Sequence, residues 1–147
     1  YEYRIQWGSE PKHRYPRIVV FASRVMLGNY SKFGDLLAFD VCDGLLRNTS
    51  HDNERYKVAM FTVCDTNIRS LFAGLALFVD ETTPAMFSIL DMFIQLHGKT
   101  PSSIISKGQQ SVALAVEELR DHELFTGAHM LDTRYLLETV KPKIMGD

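Results

Sequence analysis

Residues 102–116, "SSIISKGQQSVALAV", read as a short apolar strand running straight into a helix. The junction between a strand's carboxyl end and a following helix is where α/β enzymes often place a catalytic acid. Here it holds Ser106, Lys107 and Gly108, so Lys107 is either a functional replacement or a sign that the chemistry has gone. Asp40 closes the apolar run "DLLAFD" and is expected to be buried, and a buried carboxylate demands a partner. Asp40, Asp43 and Asp52 together would make a lone metal site, although Asp43 and Asp52 read better as surface or loop acids. Ser106, His129 and Asp132 are the residue types of a nucleophilic triad, but no G-x-S-x-G elbow accompanies them. His97, His122 and His129 lack ligand spacing and are expected at helix ends or on the surface. "GQQSVALAV" has a single glycine before its helix, too little for a phosphate-binding loop.

These residues need elements to position them. "YEYRIQW" is an edge strand, "GSEPKHRYP" a polar loop and "RIVVFAS" a second strand. "SRVMLGNYSKF" forms a short helix with Val25, Met26 and Tyr30 turned inward, weakened by Gly28. "DLLAFDVC" is a central strand and the polar stretch "RNTSHDNERY" a loop. "YKVAMFTVC" and "IRSLFAGLALFV" pair as a hairpin across Asp65, Thr66 and Asn67. In "ETTPAMFSILDMFIQLHG", Thr82 or Thr83 caps a helix, Pro84 suits its first turn and Gly98 its stop. Met86, Ile89, Leu90, Phe93 and Leu96–His97 fall on one stripe of that helix, which is core packing rather than a cofactor site. A helix from about Gln109 to Arg120 turns Val112, Ala115, Val116 and Leu119 to the sheet. "ELFTGAHML" is a last strand and "DTRYLLETV" a final helix capped by Asp132. The order implies an α/β fold: a mixed sheet of about five strands, three antiparallel and then parallel, flanked by helices.

At 147 residues, 46% hydrophobic and 23% charged, the chain has the length and composition of one globular domain. A net charge of −2 supplies no general attraction to nucleic acid or to an anionic membrane. No apolar run, the stretch around Phe72 to Val79 included, is long enough to span a bilayer. The chain starts at Tyr1 without an initiator Met or a signal-peptide pattern and reads as a fragment of something longer. Cys42 and Cys64 form no metal-finger spacing. They are expected as reduced thiols of an intracellular protein, with a disulfide between them left open.

Two stretches carry a resemblance. "YSKFGDLLAFD" at 30–40 is similar to the start of the core of Mutator-like element transposases, where Phe/Tyr-Gly-Asp precedes an apolar strand bearing an acid. "GLALFVDETTPAMFSILDMFIQLHGKTPSSII" at 74–105 resembles the same family through Ala76, Leu77, Asp80, Glu81, Thr82, Phe87, Lys99 and Pro101. The resemblance covers roughly residues 1–140. It implies an RNase H-like fold over the single domain 1–147, with 1–33 as an N-terminal strand and helix extension.

It also implies metal-assisted phosphodiester cleavage, in which two divalent ions held by carboxylates activate a hydroxyl and stabilise the leaving oxygen. Asp40 matches the family's first acid. The second acid position falls on Lys107, and no Asp lies between Asp91 and Asp121. Val41, Cys42 and Asp43 also depart from the family's Thr-Thr-Tyr, and its Cys-x-x-His falls on Asp132 and Tyr135. An ammonium at a metal position repels the metal. Lys107 then pairs with Asp40 or snorkels at the strand's open end.

The resemblance therefore implies a catalytically inactive, domesticated domain without a cofactor. It would act as a scaffold for protein contacts or homodimerisation in a nuclear transcription regulator whose DNA contacts lie in other domains, with no membrane association. The alternative is an active nuclease or transposase core binding Mg or Mn through Asp40. Its other carboxylates would lie outside the fragment or at Glu117 or Glu138.

Overall fold

A computed structural model of the chain describes residues 1–8, 16–42 and 56–132. The element order is β1 (Glu2–Trp7), β2 (Pro16–Ala22), α1 (Arg24–Phe33), β3 (Leu36–Cys42), β4 (Lys57–Cys64), β5 (Ser70–Phe78), α2 (Thr83–His97), β6 (Ser103–Ser106), α3 (Gln110–Asp121) and β7 (Ala128–Leu131). Among the described residues the fold is α/β, with three helices on a mixed sheet ordered β1-β2-β5-β4-β3-β6-β7. The sheet has seven strands, not about five. The β1–β2 hairpin adds two to one edge, because β2 pairs antiparallel with β5 from Ile18↔Phe78 to Phe21↔Leu75. The final helix expected after Asp132 lies outside the described residues, as does nearly all of the polar loop before Tyr56.

The centre of the sheet is an antiparallel meander, β3–β4–β5. Asp65 builds its β4–β5 turn by accepting the backbone N–H groups of Asn67 and Arg69, each at 2.9 Å. Those bonds hold its carboxyl below the usual range, with the Arg69 N–H the leading cause. Ile68 takes φ 61°, so it belongs to the turn rather than to the following strand. On the other side β6 lies parallel to β3, and β7 parallel to β6. Crossovers from β5 to β6 and from β6 to β7 advance in one direction across the sheet. Right-handed connections then place α2 and α3 on the same face.

That face carries the core. Leu37, Phe39 and Val41 alternate inward along β3, and Phe61 on β4 meets Phe39 with ring centroids 5.1 Å apart. Phe93 from α2 stacks on Phe61 at 3.9 Å, and Tyr30 from α1 meets Phe93 edge-on at 5.0 Å. Gly74 is required beneath this stack, since a Cβ there would lie 2.9 Å from the Phe93 ring. Met86, Ile89, Leu90, Phe93 and Leu96 of α2 are buried, as are Val112, Ala115, Val116 and Leu119 of α3. Gly98 ends α2 in the left-handed conformation, φ 63°. The opposite face of the sheet, with Val19, Phe21, Met60, Leu75, Leu77 and Ile105, is half-buried and has no described helix across it.

Two local expectations are corrected. Val25 is 72% exposed, whereas Tyr30 is buried. Helix α1 is anchored by its last turn, where the Tyr30 hydroxyl donates to the Lys99 carbonyl at 3.0 Å, leaving its first turn outside the core. The last strand begins at Ala128 rather than in "ELFT". Glu123 turns left-handed at φ 58°, and Phe125 drops into the core beside it. Phe93→Ala should therefore cost about 3–5 kcal/mol in urea unfolding, by removing a fully buried ring. Val25→Ala should stay within about 0.5 kcal/mol.

Candidate functional site

The site is set by the parallel pairing of β3 with β6, in which Phe39 faces Ser106. One residue further on, Asp40 and Lys107 come side by side on the half-buried face. Lys107 Nζ lies 2.9 Å from Asp40 Oδ2, with the two side chains 49% and 33% exposed. This is the partner that Asp40 requires, and Lys107 does not merely snorkel. The hydrogen bond to Asp40 raises the Lys107 pKa most, partial desolvation opposes it, and the negative potentials of Asp40, Cys42 and Asp132 add to the rise. The second carboxylate oxygen of Asp40, Oδ1, is buried and has no hydrogen-bond partner among the described residues.

These residues do not fit a divalent ion. Two ions about 4 Å apart need several converging carboxylates. Of the two described carboxylates near this strand end, Asp40 already has an oxygen engaged by the Lys107 ammonium, and Asp132 lies on the far side of Lys107, beyond β6. No group of three or more His, Cys, Asp or Glu residues suited to a metal occurs among the described residues. Glu117 is exposed on α3, across the sheet from Asp40, where it acts electrostatically on His129. Asp43, Asp52, Tyr135 and Glu138 lie outside the described residues.

Ser106 and His129 do meet, with Ser106 Oγ 2.8 Å from His129 Nε2. Ser106 is only 2% exposed, on the helix-covered face, which leaves its hydroxyl no path to a substrate. Burial, and then the Arg120 charge, lowers the His129 pKa. Asp132 does not extend this pair into a relay: strand alternation puts it on Lys107's face, and its backbone N–H donates to the Ser106 carbonyl at 2.9 Å. The hydrogen bond satisfies a buried hydroxyl, as packing requires.

The other histidines stand apart. His97 lies against the Tyr30 and Phe93 rings with Nε2 3.0 Å from the Ala73 carbonyl, and burial lowers its pKa to about 4. His122 caps α3 beside Phe87. Cys42 is half-buried and Cys64 exposed, and no disulfide joins them. Gly108, at φ 44°, carries the chain from Lys107 into α3, whose Gln109 makes no side-chain cap.

The residues behind the family resemblance have structural work in this fold. Asp35 pairs with Lys99 at 3.1 Å, Arg17 pairs with Asp80, and Lys57 Nζ lies 3.0 Å from Glu81. Compared with family models, curated proteins and solved structures, the chain finds no match. No helix of the described residues is long and apolar enough to cross a membrane.

A double-mutant cycle of Asp40→Asn and Lys107→Met in chemical denaturation should give a coupling of about 0.2–1 kcal/mol, since the pair is partly exposed and screened. Because the folded Lys107 pKa is raised, its contribution is complete below the ordinary lysine value of 10.5 and is lost as pH climbs through the folded value. Wild type should therefore lose stability relative to Lys107→Met only in that alkaline window.

Proposed function

We propose that this chain is a catalytically inactive RNase H-like domain derived from a Mutator-like transposase. It serves as a scaffold for protein contacts or dimerisation within a nuclear, DNA-binding transcription regulator. The observation that carries the inactive reading is the 2.9 Å contact between Lys107 and Asp40, where the resemblance expects two acids holding metal. Neutralising the acid internally removes the charge that would draw a divalent ion. The strand order β5-β4-β3-β6-β7, antiparallel through the first three and parallel thereafter, supports the fold assignment. The nuclear location and the DNA contacts made by other domains rest on the resemblance alone.

One observation favours the alternative of a metal-dependent nuclease or transposase core: the buried, unpartnered Oδ1 of Asp40, an acceptor still unmet. Such a core would need carboxylates from beyond the described residues, with Lys107 displaced. Incubation with labelled single- and double-stranded DNA in Mg or Mn separates the readings. The inactive domain should cleave no faster than buffer, and Asp40→Asn should change nothing. Metal-dependent cleavage abolished by Asp40→Asn would establish the alternative.

A further inference from the structure

The edge strand β1 is exposed along its whole length, and among the described residues nothing pairs with its outer side. Its half of the helix-free face is a continuous apolar stripe: Tyr1 is 78% exposed, Tyr3 60%, Ile5 38% and Trp7 60%. Edge strands of monomers are commonly blunted by lysine, proline, a bulge or an inward charge. Residues 1–5, "YEYRI", contain no lysine, proline or glycine, and Glu2 to Gln6 pair with β2 in unbroken register. The charges of Glu2 and Arg4 fall on the helix-covered face, Arg4 beside Asp91 and Gln95 of α2, yet both remain exposed. Such an edge is a template for another strand, and large exposed apolar patches mark interaction surfaces.

We propose that β1 is a homodimer interface, in which two copies of this chain pair β1 with β1 antiparallel about a two-fold axis at Tyr3. An axis normal to the sheet keeps its faces aligned, so each residue meets a partner residue that lies an even number of positions away. Centring on Glu2 or on Arg4 sets like charges against each other. Centring on Ile5 faces Arg4 with Gln6, matches no charges and runs into the register shift between Gln6 and Trp7. Centring on Tyr3 sets Glu2 against the partner copy's Arg4 twice and Tyr1 against Ile5 twice. Opposite charges directly across a strand pair stabilise it, and like charges destabilise it. The joined sheets also unite the two apolar stripes, on which the Tyr1 ring already lies 5.9 Å from Phe21.

This deepens the scaffold reading by naming the partner as a second copy. It can fail independently of the inactive site, which the cleavage assay reads separately. Sedimentation equilibrium of the 147-residue chain should show a concentration-dependent dimer. Glu2→Arg and Arg4→Glu should each weaken self-association roughly tenfold or more, because both symmetric pairs become repulsive. Circular dichroism should stay native, since both side chains lie at the exposed edge. Mixing the two variants should restore a dimer, because each then meets opposite charge. A wild type that stays monomeric overturns the proposal, leaving the edge to some other chain. A dimer indifferent to both variants, or a mixture that remains unpaired, does the same.

Discussion

Ser102 and Ser103 both donate their backbone N–H groups to the Asp35 carbonyl at 2.9 Å, and this anchor starts β6 level with β3. Leu36↔Ser103 follows, then Leu37↔Ile104, and the register ends at Phe39↔Ser106. Every later feature of the site depends on that alignment. A slip of one residue would send Ser106 to the helix-free face and Lys107 into the core. Asp35 supports the anchor a second time, through its carboxylate and Lys99. Nearby, Gly34 lets the end of α1 fold tightly on Tyr30, whose carbonyl would lie 2.4 Å from any Cβ at that position. The Phe-Gly-Asp sequence before β3 is thus a device for register, whatever chemistry follows it.

From that register the two faces of the sheet divide their tasks. Ser106, Ile104 and His129 look into the helix-covered side, where burial forces polar groups to satisfy one another. Asp40 and Lys107 look to the other side, where both stay partly wet. An ion pair so placed adds little to stability, because water already solvates much of each charge. Its consequence is electrostatic: the ammonium offsets the field that the Asp40 carboxylate would project. The same helix-free face leads across Leu77 and Phe21 to the aromatic edge of β1.

Much of this was legible in the residues. Helix α2 announced itself by Pro84, Gly98 and a five-residue apolar stripe, all local signals. The β4–β5 hairpin was equally readable, because Asp65 folds its turn through bonds to its own neighbours. Val25 misled, because helical periodicity cannot say which turn of a short helix meets the core, and a tyrosine hydroxyl bound to Lys99 decided that. The strand count was low because the joining of β1–β2 to β5 is a long-range pairing with no local mark. Asp40 and Lys107 could each be singled out by residue type and place in the chain. Their 2.9 Å contact depends on β6 lying beside β3, which the chain sequence reaches only through more than sixty intervening residues. Ser106 and His129 meet by the same kind of lateral pairing, now between β6 and β7, and their burial could not be read from spacing.

On the proposed reading, Lys107 stands where the resemblance expects a cation to be held. The most direct test is a titration of isotopically labelled protein with Mn²⁺, followed by NMR, because the ion broadens only resonances near where it binds. If Lys107 neutralises Asp40, signals from Ala38 to Cys42 and from Ile105 to Gly108 should fade no faster than those of exposed acids elsewhere on the surface. Selective loss of these signals at low Mn²⁺ would show that a metal site survives beside Lys107, and would contradict the account.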